Sequence, residues 1–379
     1  MGRTPIDDVI VVGGGIIGLS IAREAARSGL RVRLFDMSEI GREASSAAAG
    51  LIGPQIGLQR DDPLQALGLA GRDLYPAFAR EIADESGIDP CLLERGTVVL
   101  ACGAGEIEEI DRQSAFHRSL GLAAERVGGE ALRRLEPSLG PGCSEGLYLP
   151  RDWSVDNVRL VQGLGRAAER SGARLQAGTR IDRILVEKGR AAGVGAGGER
   201  IPAGTVVIAA GAWTQEIGGA GITPPPSHPV RGQIVCLGPA AAPSRPLYSH
   251  ACYLVPRRDG RILAGSTMER AGFDRQVTAA GLAALTAAAL AIVPSLRGAP
   301  FHSAWAGLRP ATDDGLPAIG PGSVPGLLYA CGHFRNGILL APITALVVGR
   351  LLRGEDPGFD LARFDPRRFA GAARERKDG

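Results

Sequence analysis

Apolar residues change period three times in the first 36 positions. They run unbroken through 9–12, recur at helical spacing through 16–27, and alternate with arginine through 31–35. The pattern predicts a strand buried on both faces, an amphipathic helix and a second strand. Downstream, helical spacing predicts a long helix over 64–86, an exposed one over 106–120, and others over 157–171 and 282–292. Strands are predicted at 96–101, 173–186, 232–237, 252–256, 261–265 and 327–330. The β-branched run 205–208 flows into the small-residue turn Ala209-Ala210-Gly211-Ala212. Pro224-Pro225-Pro226 breaks the chain before the strand-rich middle, and a final helix ends near Leu352. The polar tail after Gly354 is expected to pack loosely. No internal repeat is visible. A nucleotide-binding domain is expected from 1–90, 145–220 and 305–379, with a second, more antiparallel domain from 91–144 and 221–304.

The first two strands bracket Gly13-Gly14-Gly15-Ile16-Ile17-Gly18. A glycine turn between strand and helix aims backbone N–H groups and a helix N-terminus at a pyrophosphate. Gly13 permits the tight turn, Gly15 the phosphate's approach, and Gly18 close helix–strand packing. Asp36 ends the second strand, where a carboxylate can meet an adenosine ribose. A bare glycine motif is weak evidence in a chain with 55 glycines. Strand, helix and acid in register make a dinucleotide site the stronger reading.

Charge adds exclusions. With 43 basic and 40 acidic residues the formal charge is +3, too balanced for an electrostatic nucleic-acid footprint. The longest late apolar stretch, 338–348, contains Pro342 and falls short of the roughly 20 residues a membrane span needs. The chain starts almost directly in its first strand, which leaves no room for a signal peptide. A soluble, cytoplasmic protein is expected. The six cysteines (91, 102, 143, 236, 252, 331) show no metal spacing, so no metal site is expected; they read as reduced core residues, although spacing does not exclude a disulfide.

Several segments together resemble the FAD-dependent D-amino-acid oxidase superfamily, and within it the glycine oxidases. They are the glycine turn, Ser46-Ala47-Ala48-Ala49-Gly50, Cys252-Tyr253-Leu254-Val255-Pro256-Arg257, Trp305-Ala306-Gly307-Leu308-Arg309-Pro310 with Asp314-Gly315, and Gly332-His333-Phe334-Arg335-Asn336-Gly337-Ile338-Leu339-Leu340-Ala341-Pro342. The resemblance covers nearly the whole chain. It implies an α/β fold: a glutathione-reductase-type, Rossmann-like FAD domain with a mostly antiparallel substrate domain. It also implies non-covalent FAD, since the stretch 311–314 holds no cysteine of the kind that tethers flavin in some relatives. The implied reaction oxidises a small amine bearing an α-carboxylate to an imine, with O2 as acceptor; hydrolysis then gives an α-keto acid.

Hydride removal from a substrate α-carbon needs a neutral amine and a fixed C–H in a dry pocket. The resemblance puts Arg309 on the substrate carboxylate, where a guanidinium fork suits two parallel hydrogen bonds; the competing reading pairs it with Asp313 or Asp314. Tyr253 is implied to meet the same carboxylate, and Arg335 to stand beside flavin and substrate. Tyr248 could line the entrance. For the cofactor, the resemblance implies Gly13, Gly15, Ile16, Ile17, Gly18, Asp36, Met37, Ala44, Ser45, Ser46, Ala49, Gly50, Leu51, Ile181 and Gly211. It adds His333, Phe334, Arg335, Asn336, Gly337, Ile338 and Leu339 at the start of the last helix. Its N–H groups carry about half a positive charge, which favours an anionic reduced ring. His333 is expected there only through its backbone.

Two departures bear on the substrate. Ala251 stands where some glycine oxidases carry histidine, and Trp153 where relatives favour glycine. The expected substrate is glycine or an N-substituted glycine, giving glyoxylate, ammonia or a released amine, and hydrogen peroxide; a smaller side chain at 251 would enlarge the pocket beside the amine and favour a larger N-substituent. The alternatives are a D-amino-acid oxidase or dehydrogenase, and a flavoprotein that uses the fold for binding or tRNA modification. Self-association into a homo-oligomer stays open.

Overall fold

The computed structural model describes residues 6–240 and 243–370, and two eight-stranded sheets organise them. In the first, Leu327–Cys331, Glu199–Ile208, Asp7–Val12, Val32–Phe35 and Arg174–Gln176 run parallel in that order, with Ala318–Pro321 antiparallel on the edge. The hairpin Arg183–Glu187/Arg190–Ala196 extends Glu199–Ile208 over one face. Alternation explains the unbroken apolar run of the first strand. Val9 and Val11 point into a core with the helices Ile16–Arg27, Gln65–Ser86, Asn157–Arg170 and Gly337–Leu352. Ile10 and Val12 point into a second core under the hairpin.

The second sheet runs Phe301–Ala311, His228–Leu237, Ile262–Gly265, Tyr253–Pro256, Leu247–Tyr248, Thr97–Ala101, Glu145–Leu149, Glu125–Gly128. Every neighbouring pair is antiparallel except Leu247–Tyr248 with Thr97–Ala101. The helix Ala279–Ile292 covers one face. The strands Glu145–Leu149 and Phe301–Ala311 join this sheet, so boundaries at 145 and 305 cut across its membership.

Three local expectations change. The segment 173–186 is two short strands, Arg174–Gln176 and Arg183–Glu187, around a turn. Beyond Gly354 the chain docks up to residue 370: Phe364 is 4 % exposed and Arg368 pairs with Asp314 at 2.7 Å. The rest of the tail, 371–379, lies outside the described residues, as do 1–5. Finally, Cys102 and Cys143 form a disulfide, while Cys91, Cys236, Cys252 and Cys331 are free. Their separation in sequence hides the reason. Ala101 pairs with Glu145 across two antiparallel strands, and just beyond that pair Cys102 and Cys143, one position out of register, come within 4.2 Å between Cα atoms. Among the described residues no helix is long and apolar enough to cross a membrane, and no cluster of His, Cys, Asp or Glu could hold a metal ion.

Candidate active site

A cavity of about 390 Å³ runs from the glycine turn to the second sheet. At its first end the backbone is drawn tight. Gly13 has φ +112°, and a Cβ there would fall 2.3 Å from Ala209 O; one on Gly18 would fall 1.8 Å from Gly13 O. Gly15 caps the helix Ile16–Arg27 without a side-chain cap, and Ser45 supplies it: its Oγ accepts the Ile16 N–H at 2.8 Å. The remaining N–H groups of the first turn have no intrahelical partner and are available to an anion. Asp36 Oδ2 accepts the Gly14 N–H at 2.7 Å, and Oδ1 accepts the N–H and hydroxyl of Ser38 at 2.8 and 3.0 Å. The acid is thus aimed along the turn from the end of its strand. Thr179, Arg180, Ile181, Gly211 and Glu216 line this same end, with Arg180 and Glu216 paired at 2.6 Å.

The middle is backbone. Ala44, Ser45, Ala47, Ala48, Ala49, Gly50 and Leu51 line one side, and Cys331 to Leu339 the other. Gly50 has φ +77°, and its Cβ would meet Val155 O at 2.0 Å. Ser46 turns away; its hydroxyl donates to Gly41 O at 2.5 Å, so its expected place along the cofactor is taken by Ala47 and Ala48. The last helix begins at Gly337 after Asn336, which gives no side-chain cap. Its first residues, Gly337 to Leu339, line the cavity, and Tyr75 donates its hydroxyl to Ile338 O. The His333 imidazole points the other way, with Nε2 3.1 Å from Thr344 Oγ1. Burial pushes its pKa down to about 3, so the ring is neutral.

At the far end, Arg309 lies across the strand His228–Leu237 in register with Val230, and its guanidinium fills the space a Cβ on Gly232 would take, 2.2 Å away. Nη2 donates to Ser266 Oγ at 2.5 Å; Nη1 donates to Thr267 O at 3.2 Å and Arg231 O at 3.4 Å. These bonds leave Nε–H and an Nη2 N–H, the side-on pair that grips a carboxylate. The competing partners are engaged elsewhere: Asp314 with Arg368, Asp313 near His228 at 3.7 Å. Burial pulls the Arg309 pKa below its ordinary value; Tyr253 opposes that shift and the Arg335 charge adds to it. Guanidinium remains cationic throughout. The Tyr253 ring packs on Gly265 with its hydroxyl by Ser266, and burial raises its pKa, so it is a neutral donor. Arg335 is exposed at the cavity edge, 5.9 Å from the Phe334 ring centroid.

Around this end stand Ile56, Tyr248, His250, Ala251 and Met268. Ala251 is exposed there, and the neighbouring His250 turns to Glu109 at 2.6 Å. Trp153 is not at the cavity: it is 8 % exposed, pairs with Ile52 and donates Nε1–H to Pro150 O at 3.1 Å. It buttresses the segment behind Leu51. Sequence reasoning missed Ser266, Gly232, Glu43, Trp213 and Ile56. Gly232 and Ser266 arrive through pairing or adjacency of distant strands, Trp213 on the 3₁₀ turn Gly211–Glu216, Glu43 at the start of the short helix Ala44–Ala47, and Ile56 on a loop.

A helix start open to an anion, an acid at the end of the second strand and a cavity that reaches Arg309 and Tyr253 suit a dinucleotide-dependent oxidoreductase. The chain belongs to the DAO family of FAD dependent oxidoreductases, which matches residues 8–351. It is 37% identical to a glycine oxidase of Geobacillus kaustophilus over 96% of this chain and 97% of that protein. A glycine oxidase of Pseudomonas putida is 35% identical over 94% of this chain and 98% of its own. The crystal structure of glycine oxidase from Geobacillus kaustophilus superposes with a TM-score of 0.91, covering 96% and 99% of the two chains at 36% identity. Iminodiacetate oxidase from Chelativorans sp. BNC1 superposes at 0.85, with 94% and 98% coverage and 28% identity. The protein is an FAD-dependent amino-acid or amine oxidase.

Proposed function

We propose that this chain oxidises glycine carrying an N-substituent, releasing an amine and glyoxylate with formation of hydrogen peroxide. The observation that carries the reading is Arg309, a part-buried cation lining the cavity beside the neutral Tyr253 donor, whose bonds to Ser266, Thr267 and Arg231 do not use its Nε–H. Bound FAD, held non-covalently, supplies the acceptor for a hydride from the α-carbon and passes its electrons to O2. The chain's own residues do the rest. Arg309 and Tyr253 fix the carboxylate and so the direction of the α-C–H. The nearby guanidinium charges of Arg309 and Arg335 favour the uncharged amine, the reactive form. The free N–H groups at the start of the last helix favour negative charge on the reduced ring. The apolar lining excludes water, which strengthens each of these interactions.

Ala251 favours the N-substituted substrate, because a methyl in place of a ring leaves room beside the amine, with Tyr248 and Met268 as apolar walls. The relative that oxidises iminodiacetate, itself an N-carboxymethyl glycine, supports the same class. A peroxide-coupled assay over glycine, sarcosine, larger N-alkyl glycines, iminodiacetate, D-alanine and D-proline tests it. Higher kcat/KM for N-alkyl glycines is expected. Glycine ahead by a wide margin rejects the N-substituent, and D-alanine or D-proline ahead would make the enzyme a D-amino-acid oxidase.

A further inference from the structure

Arg257 is a largely buried cation that the oxidation chemistry leaves unused. It forms no ion pair among the described residues; the main opposing charge, Asp156, caps the helix Asn157–Arg170. It follows the strand Tyr253–Pro256, yet its fork reaches into the cofactor half. Nη1 donates to Val155 O at 2.8 Å and Nη2 to Asn157 Oδ1 at 2.6 Å. Asn157, wholly buried, relays the contact: its Nδ2 donates to Ser45 O at 2.8 Å and Ser46 O at 3.1 Å. Ser45 Oγ accepts the Ile16 N–H at the head of the phosphate-facing helix. On the other side the Val155 N–H donates to Gly50 O at 2.9 Å, and a Cβ on Gly50 would sit 3.4 Å from Arg257 Nη1. One guanidinium therefore ties down both ends of the segment 45–50.

We propose that Arg257 is a positioning residue for FAD, holding the segment 45–50 and, through Asn157 and Ser45, the start of the phosphate-facing helix in register with the strand that carries Tyr253. A planar fork can serve two fixed acceptors at once, whereas a lysine ammonium serves them as a point charge. Without the fork the segment orders only when FAD arrives, and the lost chain entropy subtracts from affinity. The effect rests on FAD binding alone and is independent of which amine is oxidised.

The test titrates apoprotein with FAD for wild type, Arg257→Lys, Arg257→Met, Ser45→Ala and the Arg257→Lys/Ser45→Ala double variant, alongside apoprotein melting. Arg257→Lys keeps stem and charge, so its apoprotein should melt with wild type even if Arg257→Met does not fold. Its FAD Kd should rise at least tenfold, about 1.4 kcal/mol. Ser45→Ala should weaken FAD alone but add less than twofold in the Arg257→Lys background, because both act through one chain of contacts. Wild-type FAD affinity in Arg257→Lys, or fully additive effects in the double variant, would overturn the proposal.

Discussion

Gly232 and Gly307 face each other in register on neighbouring strands, and a methyl on each would strike a different half of the site. A Cβ on Gly232 would lie 2.2 Å from both Nη atoms of Arg309; one on Gly307 would lie 2.4 Å from Ala47 Cβ. Neither glycine has the positive φ that would strain alanine. In Gly232→Ala the obstacle is the mobile end of a side chain, so the strand keeps its course and the guanidinium swings aside. The substrate then loses at least one charge-assisted hydrogen bond, about 1.5–3 kcal/mol, which is roughly a ten- to hundred-fold fall in kcat/KM. FAD affinity should not change. In Gly307→Ala the obstacle is a backbone-anchored methyl, whose carbonyl is held by Trp305 Nε1 at 3.0 Å. Ala47 cannot swing, so the cofactor-lining segment must shift, an overpacking of about 1–3 kcal/mol. That variant should bind FAD more weakly and melt earlier. Steady-state peroxide assays at saturating FAD, with FAD titrations of the apoproteins, separate the two. A wild-type kcat/KM in Gly232→Ala, or weakened FAD binding there, would refute the assignment of the guanidinium to the substrate carboxylate.

Two further outcomes concern buried titrating groups. Asp152 is wholly buried under the loop that carries Ile56; its Oδ2 accepts the Gln55 N–H at 3.0 Å, and Arg72 Nη1 is 3.6 Å from Oδ1, which has no hydrogen bond. Burial pushes its pKa up to about 7 from 3.8, so the folded protein keeps a proton that the unfolded chain has released, and stability falls as pH rises from about 4 to 7. Asp152→Asn should therefore gain melting temperature relative to wild type across that window, by up to about 1.4 kcal/mol per pH unit; an unchanged difference between pH 5 and 8 would show that the carboxyl is ionised throughout. His333 is depressed to about 3 by burial, so stability present above pH 6.5 is lost as pH falls towards 3. His333→Asn should blunt that acid sensitivity while leaving the pH profile of kcat/KM in place, and a lost acid-side limb in that profile would make the imidazole a proton acceptor after all.

The parallel core was legible because its residues repeat a local rule. Val9 to Val12 are apolar at every position since alternate side chains enter different cores, and Gly13, Gly18 and Asp36 stand where strand and helix lengths put them. Arg309, Tyr253 and the start of the last helix were legible through resemblance, and the cavity gathers all of them. Ser46 was implied by the resemblance as part of its segment, but side chains of successive residues leave a short helical turn in different directions, and its hydroxyl went to Gly41. The cysteines failed for the opposite reason, since Cys102 and Cys143 meet only after two strands pair.

Local order along the chain therefore determined the nucleotide turn, the long helices, the first parallel strands and the types of group available for gripping a carboxylate, because those depend on periodicity and on short-range sterics. Tertiary structure alone decided which donors of Arg309 stay free, that Gly232 makes room for it, that Trp153 supports the cofactor segment from behind, and that Arg257 reaches from one sheet to the lining of the other. Each of those is a contact between residues tens or hundreds of positions apart. Such contacts exist only once two sheets have set their register, and no spacing along the chain encodes that distance.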